Sequence, residues 1–207
     1  ALRAVIPARE LPKELVGTDI TLWLRPSIHI VHYPIRAGRE VAITTIIDND
    51  IRDRAEGEDV NLNTIASLSV LFPPSLKDLL TKPLLWRSWP LYTAIKNKIW
   101  VYQRMALLGD AAHPILPFLA QGAVLALEDA VVLAETLDRA STLDMPLCLE
   151  AYQQSRSRRT QRVQKASAQN GRIYHCGGWL RLARNLILRI LPPNFFLYRY
   201  RWLYGWT

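Results

Sequence analysis

The sequence predicts an α+β to α/β fold, in which a mostly antiparallel sheet is followed by a strand–helix unit and a helical tail. Three observations carry this. Runs of β-branched and aromatic residues, separated by short turns, fill the first 50 or so residues. A short apolar run, Met105-Ala-Leu-Leu108, stops at Gly109-Asp110, and an amphipathic stretch begins at Gly122. From about Leu147 onward the spacing is helical almost to the end.

Taken in order, Ile20–Leu24, Ile28–Tyr33 and Glu40–Ile47 read as strands, the last two joined by a glycine-containing turn at Arg36-Ala-Gly-Arg39. Residues 51–58 are charged and read as a loop. Val60–Leu80 reads as helix interrupted by Pro73-Pro74, because proline cannot donate to the helical ladder. Strand character returns at Leu84–Tyr92 and Ile99–Tyr102. Met105–Leu108 has the shape of a buried strand that delivers a polar residue to its C-terminal edge, where ligands bind in α/β sheets. Val124, Leu127, Val131 and Ala134 recur at three- and four-residue spacing and predict a helix over 122–137. A second helix is expected from Leu147 to Gln169, stopped by Asn170-Gly171, and a third from Trp179 to Leu191, closed by Pro192-Pro193. These elements group into 1–104, 105–140 and 141–207.

Composition narrows the classes. Half the residues are apolar and 21% are charged, as in an ordinary globular protein. No apolar run approaches the roughly 20 residues of a spanning helix, so no integral membrane segment is expected. The two cysteines, Cys148 and Cys176, belong to no CxxC or Cys/His ligand pattern; no metal is expected, and two thiols suit a reducing cytoplasm. Eleven basic residues and no acidic one follow Glu150, leaving the first 150 residues at −3 of the net +8. Such a tail suits nucleic acid, anionic lipid or an acidic face of its own protein, and charge alone does not choose. The chain begins at Ala1 rather than Met and reads as cut at that end.

The chemistry concentrates between Leu107 and Ala130. A strand ending in Gly109-Asp110 lets backbone approach a ligand and offers a carboxylate to sugar hydroxyls. A helix opened by Gly122 presents the N–H groups of Gly122, Ala123 and Val124 beyond its positive end. The whole segment, Leu107-Leu-Gly-Asp-Ala-Ala-His-Pro-Ile-Leu-Pro-Phe-Leu-Ala-Gln-Gly-Ala-Val-Leu-Ala-Leu-Glu-Asp-Ala130, resembles in register the second flavin-binding motif of the group A flavoprotein hydroxylases, relatives of the para-hydroxybenzoate, salicylate and 3-hydroxybenzoate hydroxylases. The tail, Arg162–His175 and Arg201–Trp206, is similar to that of the salicylate-type members.

The resemblance implies a para-hydroxybenzoate hydroxylase-like fold: a substrate-binding sheet domain (1–104), part of an FAD domain (105–140) and C-terminal helices (141–207). It implies FAD as cofactor, NAD(P)H as co-substrate and hydroxylation of a phenolic or benzoate-like ring. On the motif, Gly109 and Asp110 serve the ribityl or pyrophosphate portion. Pro117 lines the ring, and Gly122, Ala123 and Val124 face the pyrimidine edge, where a reduced flavin carries negative charge. His113 belongs to the motif in a packing or hydrogen-bonding role. Gln121 helps hold the substrate, although an ordinary loop amide fits the sequence equally well. The strand Arg25–Arg36 is similar to one carrying a substrate-side histidine that takes the phenolic proton. Strand alternation sends His29 and His32 to opposite faces, and the family pattern favours His29, with His32 as runner-up. The tail then becomes a solvated or interdomain helix face and its tryptophans packing residues, with no nucleic-acid partner; a homodimer formed partly through it follows by family analogy.

Three features depart from the family. Thr93-Ala94 stands where relatives have Asp-Arg, Leu68–Leu76 lacks the tryptophan often seen there, and no GxGxxG is found among the nine glycines. The expectation is therefore a fragment of a longer enzyme, with a missing N-terminal FAD-binding half and little FAD retained by these residues alone. The alternative is an inactive flavoprotein remnant or interaction module.

Overall fold

A computed structural model describes residues 1–48, 55–92, 99–138 and 145–205. The chain divides into two units, Ala1–Leu91 with Tyr174–Ala183, and Tyr92–Ile173 with Arg184–Thr207. Thr93-Ala94 lies outside the described residues.

The first unit is built on the expected antiparallel sheet. Its strands are β1 (Leu2–Pro7), β2 (Thr21–Arg25), β3 (Ile28–Ile35), β4 (Glu40–Ile47) and a short β5 (Arg87–Ser88), in the order β2-β3-β4-β1-β5. The β3–β4 turn is made by Arg36, Ala37 and Gly38, all at positive φ, with the glycine at +79° where a side chain is least tolerated. Alternation along the strands sends Leu2, Ala4, Ile6, Ile28, Ile30, Val41 and Ile43 into one core. That core also takes Ile65 of α1 (Leu62–Ser69) and Leu76, Leu79 and Leu80 of α2 (Pro74–Thr81), together with Phe72 and Trp86. Each such leucine contributes roughly 1.5–3 kcal/mol by leaving water. The side chain of Asn61 caps α1 by accepting from the Asn63 N–H at 2.8 Å. Pro73-Pro74 separates the helices as expected, with Pro74 in the first turn of α2, where its missing N–H costs nothing.

Three expectations change. Leu84–Tyr92 shrinks to the two residues of β5: Leu84 is exposed, and Pro90 has no N–H with which to extend the pairing. Ile99–Tyr102 and Met105–Leu108 shrink to β6 (Val101–Tyr102) and β7 (Met105–Ala106), which pair only with each other. Met105 is 65% exposed, so this is not the buried strand expected; among the described residues the ribbon has no further strand beside it.

The remaining helices are α3 (Gly122–Asp138), α4 (Met145–His175), α5 (Gly178–Ile190), α6 (Pro193–Arg199) and α7 (Arg201–Tyr204). The first and third long helices fall where the periodicity places them. α4, however, runs straight through Asn170-Gly171. An added Cβ on Gly171 would lie 2.6 Å from the Phe118 ring, so this glycine permits a close approach and does not end the helix. Asn170 accepts from the Tyr200 hydroxyl at 2.6 Å. In the second unit Leu119, Leu125, Val163 and Leu203 form one core cluster, and Trp100, Ala112 and Tyr152 another. Among the described residues no helix is long and apolar enough to cross a membrane.

Candidate functional site

The segment from Gly109 to Val124 lies in the second unit and forms one continuous turn–loop–helix. Gly109 sits at φ +58°, and an added Cβ would lie 3.1 Å from the Ala126 side chain, so any other residue would be strained in backbone and tight against α3. The next residue, Asp110, stands exposed on a single 3-10 turn. The chain then passes Pro117, the first residue of a second 3-10 turn, and Ala120 at φ +52° reverses it into α3. The ladder of α3 begins with the Leu125 N–H donating to the Gln121 carbonyl at 2.9 Å. The N–H groups of Gly122, Ala123 and Val124 precede that bond at the positive end of the helix. A Cβ on Gly122 would lie 3.8 Å from Asp110 Oδ1, which puts the carboxylate beside the helix start. Ala123 and Val124 are exposed there. The motif therefore sets Asp110, next to Gly109, beside the start of α3 at Gly122, with Ala123 and Val124 exposed on the first turn; Pro117 lies on the loop that joins them.

Behind this surface lies a buried ionic network that the sequence reading did not anticipate. Asp129, fully buried on α3, accepts from the Gly109 N–H (2.9 Å), from His113 Nε2 (2.5 Å) and from Arg156 Nε (2.7 Å). Its neighbour Glu128 accepts from Arg156 (2.7 Å) and Arg159 (2.5 Å). Burial pushes both carboxyls up, but the hydrogen bonds from His113, Arg156 and the Gly109 amide hold Asp129 below its ordinary range. Those from Arg159 and Arg156 do the same for Glu128. Two of the eleven basic tail residues are thus internal counterions, and His113 is a hydrogen-bonding residue.

One face of α4 also fixes the loop between the two turns. Gln164, Ser167 and Asn170, three residues apart, donate in turn to the carbonyls of Pro114 (3.1 Å), Leu116 (2.5 Å) and Phe118 (3.5 Å). Polar residues at threefold spacing on a helix were the available signal.

Gln121 is 5% exposed, and its buried side-chain oxygen has no hydrogen-bond partner among the described residues. That is a costly state for an amide and distinguishes it from an ordinary loop residue. His29 belongs to the first unit. It is 1% exposed on β3, with Nδ1 2.7 Å from His175 Nε2; burial first, then the charge of His175, lowers it to about 4. His32 faces the opposite side, as alternation requires, and its Nδ1 accepts from Trp23 Nε1 at 3.1 Å.

The motif surface fits the flavin side of an FAD site. An exposed carboxylate, a glycine-opened helix end and backbone amides are the donors and acceptors that a ribityl chain and an anionic ring edge require. Comparison with known proteins agrees. Residues 48–167 match the family model described as FAD binding domain. The chain is 35% identical over 207 residues to the 3-hydroxybenzoate 6-hydroxylase of Polaromonas naphthalenivorans (strain CJ2), covering 99% of this chain and 51% of that protein. It is 36% identical over 207 residues to 3-hydroxybenzoate 6-hydroxylase 2 of Aquipseudomonas alcaligenes, covering 99% and 64%. A salicylate hydroxylase substrate complex superposes with a TM-score of 0.81 at 23% identity, covering the whole of this chain and 53% of that one. The chain thus spans roughly half to two thirds of the curated relatives it matches.

Proposed function

Because the chain belongs to the FAD binding domain family, among the FAD-dependent aromatic monooxygenases, we propose that it supplies the flavin-ring and ribityl side of a monooxygenase that hydroxylates a phenolic or benzoate-like ring. The observation that carries this reading is the exposed Asp110 carboxylate beside the start of α3, on a turn pinned from behind by buried Asp129. FAD, when bound, takes electrons from NAD(P)H and supplies the oxygen chemistry.

Asp110 accepts from ribityl hydroxyls, and Gly109 lets the backbone approach them. Pro117 lines the ring, while the amides of Gly122, Ala123 and Val124 favour negative charge at its pyrimidine edge. Gln121 holds the substrate, a role supported by its buried oxygen, which has no partner among the described residues. His29, neutral at physiological pH because burial disfavours its charged form, takes the phenolic proton. In this reading 1–104 is the substrate-binding sheet domain, 105–140 part of the FAD domain and 141–207 the C-terminal helices.

The 207 residues contain no GxGxxG, so the pyrophosphate side of the cofactor site is assigned to protein beyond them. The free thiols and the need for NAD(P)H support a cytoplasmic setting. Exposed Leu182, Leu186 and Ile190 on α5 support a homodimer, which light scattering on the native protein checks. The function itself is tested by NAD(P)H consumption by the native protein across a panel of hydroxybenzoates. Substrate-dependent consumption with a hydroxylated product is expected; consumption indifferent to every aromatic acid would refute it.

A further inference from the structure

Within the first unit, the end of α4 is tied to the sheet at one point. Ser27, at φ +60° between β2 and β3, donates its N–H to the His175 carbonyl (3.1 Å), and its own carbonyl accepts from the Asp48 N–H (2.7 Å). These backbone bonds bring three titratable side chains into line. His29 Nδ1 lies 2.7 Å from His175 Nε2, and His175 Nδ1 lies 3.9 Å from Asp48 Oδ2. Exposure rises along that line, from 1% for His29 to 8% for the His175 side chain and 75% for that of Asp48. A buried imidazole is thereby connected to solvent through a second imidazole and a surface carboxylate.

A 2.7 Å contact between two ring nitrogens requires an N–H on one and a lone pair on the other, so the pair shares one proton along that axis. Burial lowers both rings; the like charge of His175 lowers His29 further, whereas Asp48 pulls His175 upward. Tyr174 of α4 also faces His29, edge-on at 5.3 Å, and the strand neighbours Leu24 and Ile46 do not titrate. A proton that reaches His29 is therefore disfavoured there, and the adjacent acceptor leads outward.

We infer that His175 and Asp48 form the proton exit for His29, an inference that rests on His29 acting as base toward the substrate hydroxyl. The transfer balances. The substrate O–H breaks and its proton bonds to His29 Nε2. The Nδ1–H of His29 passes to His175 Nε2, and the Nδ1–H of His175 passes through water across the 3.9 Å separation to the Asp48 carboxylate, which releases it to solvent. Both rings end neutral in the opposite tautomer, Asp48 is again a carboxylate, the substrate oxygen carries the negative charge and the proton is in solvent; inward passage of one proton resets the line. His175 is in this sense a positioning residue, acting through His29.

The test is stopped-flow absorbance of phenolate formation on a bound hydroxybenzoate, followed against pH in the native full-length enzyme. His29→Gln should abolish phenolate formation at neutral pH. His175→Phe should slow it at least about tenfold while leaving substrate affinity within about twofold. Asp48→Asn should slow it less, with the rate restored by added formate, a rescue that a purely structural role would not give. His175→Gln and the exposed Asp48→Asn carry the test if His175→Phe does not fold. Loss in His29→Gln with wild-type rate and pH profile in the His175 and Asp48 variants would overturn the exit while leaving the base in place. A wild-type rate in His29→Gln would overturn the base assignment and the exit together.

Discussion

Replacing Asp129 with Asn separates the support of the cofactor turn from its ligand surface. The side chain is fully buried and its two oxygens accept three hydrogen bonds: Oδ2 from the Gly109 N–H and His113, Oδ1 from Arg156 Nε. An amide has the same shape but only one acceptor oxygen. If its NH2 group takes the Oδ2 position, the Gly109 N–H is orphaned, at about 1–3 kcal/mol, and the charged bond from Arg156 becomes a weaker one to a neutral oxygen. If it takes the Oδ1 position, it meets the Arg156 N–H donor-to-donor. Either way an ion pair buried on both sides is broken, which costs about 3–5 kcal/mol. Arg156 keeps its bond to Glu128, so the lower half of that range is expected. Urea unfolding of the native protein measures it, with Asp110→Asn as the control. Asp110 is exposed, so that variant should unfold within about 0.5 kcal/mol of wild type while losing FAD affinity. A cost below about 1 kcal/mol for Asp129→Asn, or a comparable cost for Asp110→Asn, would refute the division into buried support and exposed ligand.

Other outcomes follow from the same contacts. Gly171→Ala would put a Cβ 2.6 Å from the Phe118 ring and should cost about 1–3 kcal/mol in thermal or urea unfolding; pairing it with Phe118→Leu should recover part of that loss. His29, lowered from 6.5 to about 4 in the fold, contributes stability that is complete above pH 6.5 and is lost as pH falls from 6.5 toward 4, on the order of 3 kcal/mol in total. His29→Phe should flatten that slope in urea midpoints taken between pH 7 and 4.5. Asp129 and Glu128, held below their ordinary 3.8 and 4.5, lose their contribution only at lower pH, so a second acid transition should persist in that variant. The 207-residue chain by itself should carry little FAD after purification, read from flavin absorbance; stoichiometric flavin would contradict the placement of the pyrophosphate side elsewhere.

What was legible in the sequence is what local chemistry decides. The sheet of the first unit follows from two-residue alternation, the break between α1 and α2 from Pro73-Pro74, and α3 from its apolar spacing. The illegible parts depend on partners far along the chain. Asn170-Gly171 carries a local stop signal, yet Phe118 and Tyr200 give both residues work inside a continuing helix. Arg156 and Arg159 look like solvated tail charges until α3, 27 to 31 residues upstream, presents Asp129 and Glu128 to them. His29 and His175 are 146 positions apart, and no pattern in either segment announces their contact. Met105–Leu108 misled in the other direction: an apolar run is buried only when a layer exists to cover it.

Oxygen transfer to the ring is the most direct test of the proposed function. Under 18O2, with NAD(P)H and the hydroxybenzoate that most stimulates its consumption, mass spectrometry of the product of the native enzyme should show one labelled oxygen atom on the aromatic ring. Label from water, or peroxide formation with the aromatic acid recovered unchanged for every compound tried, would contradict it.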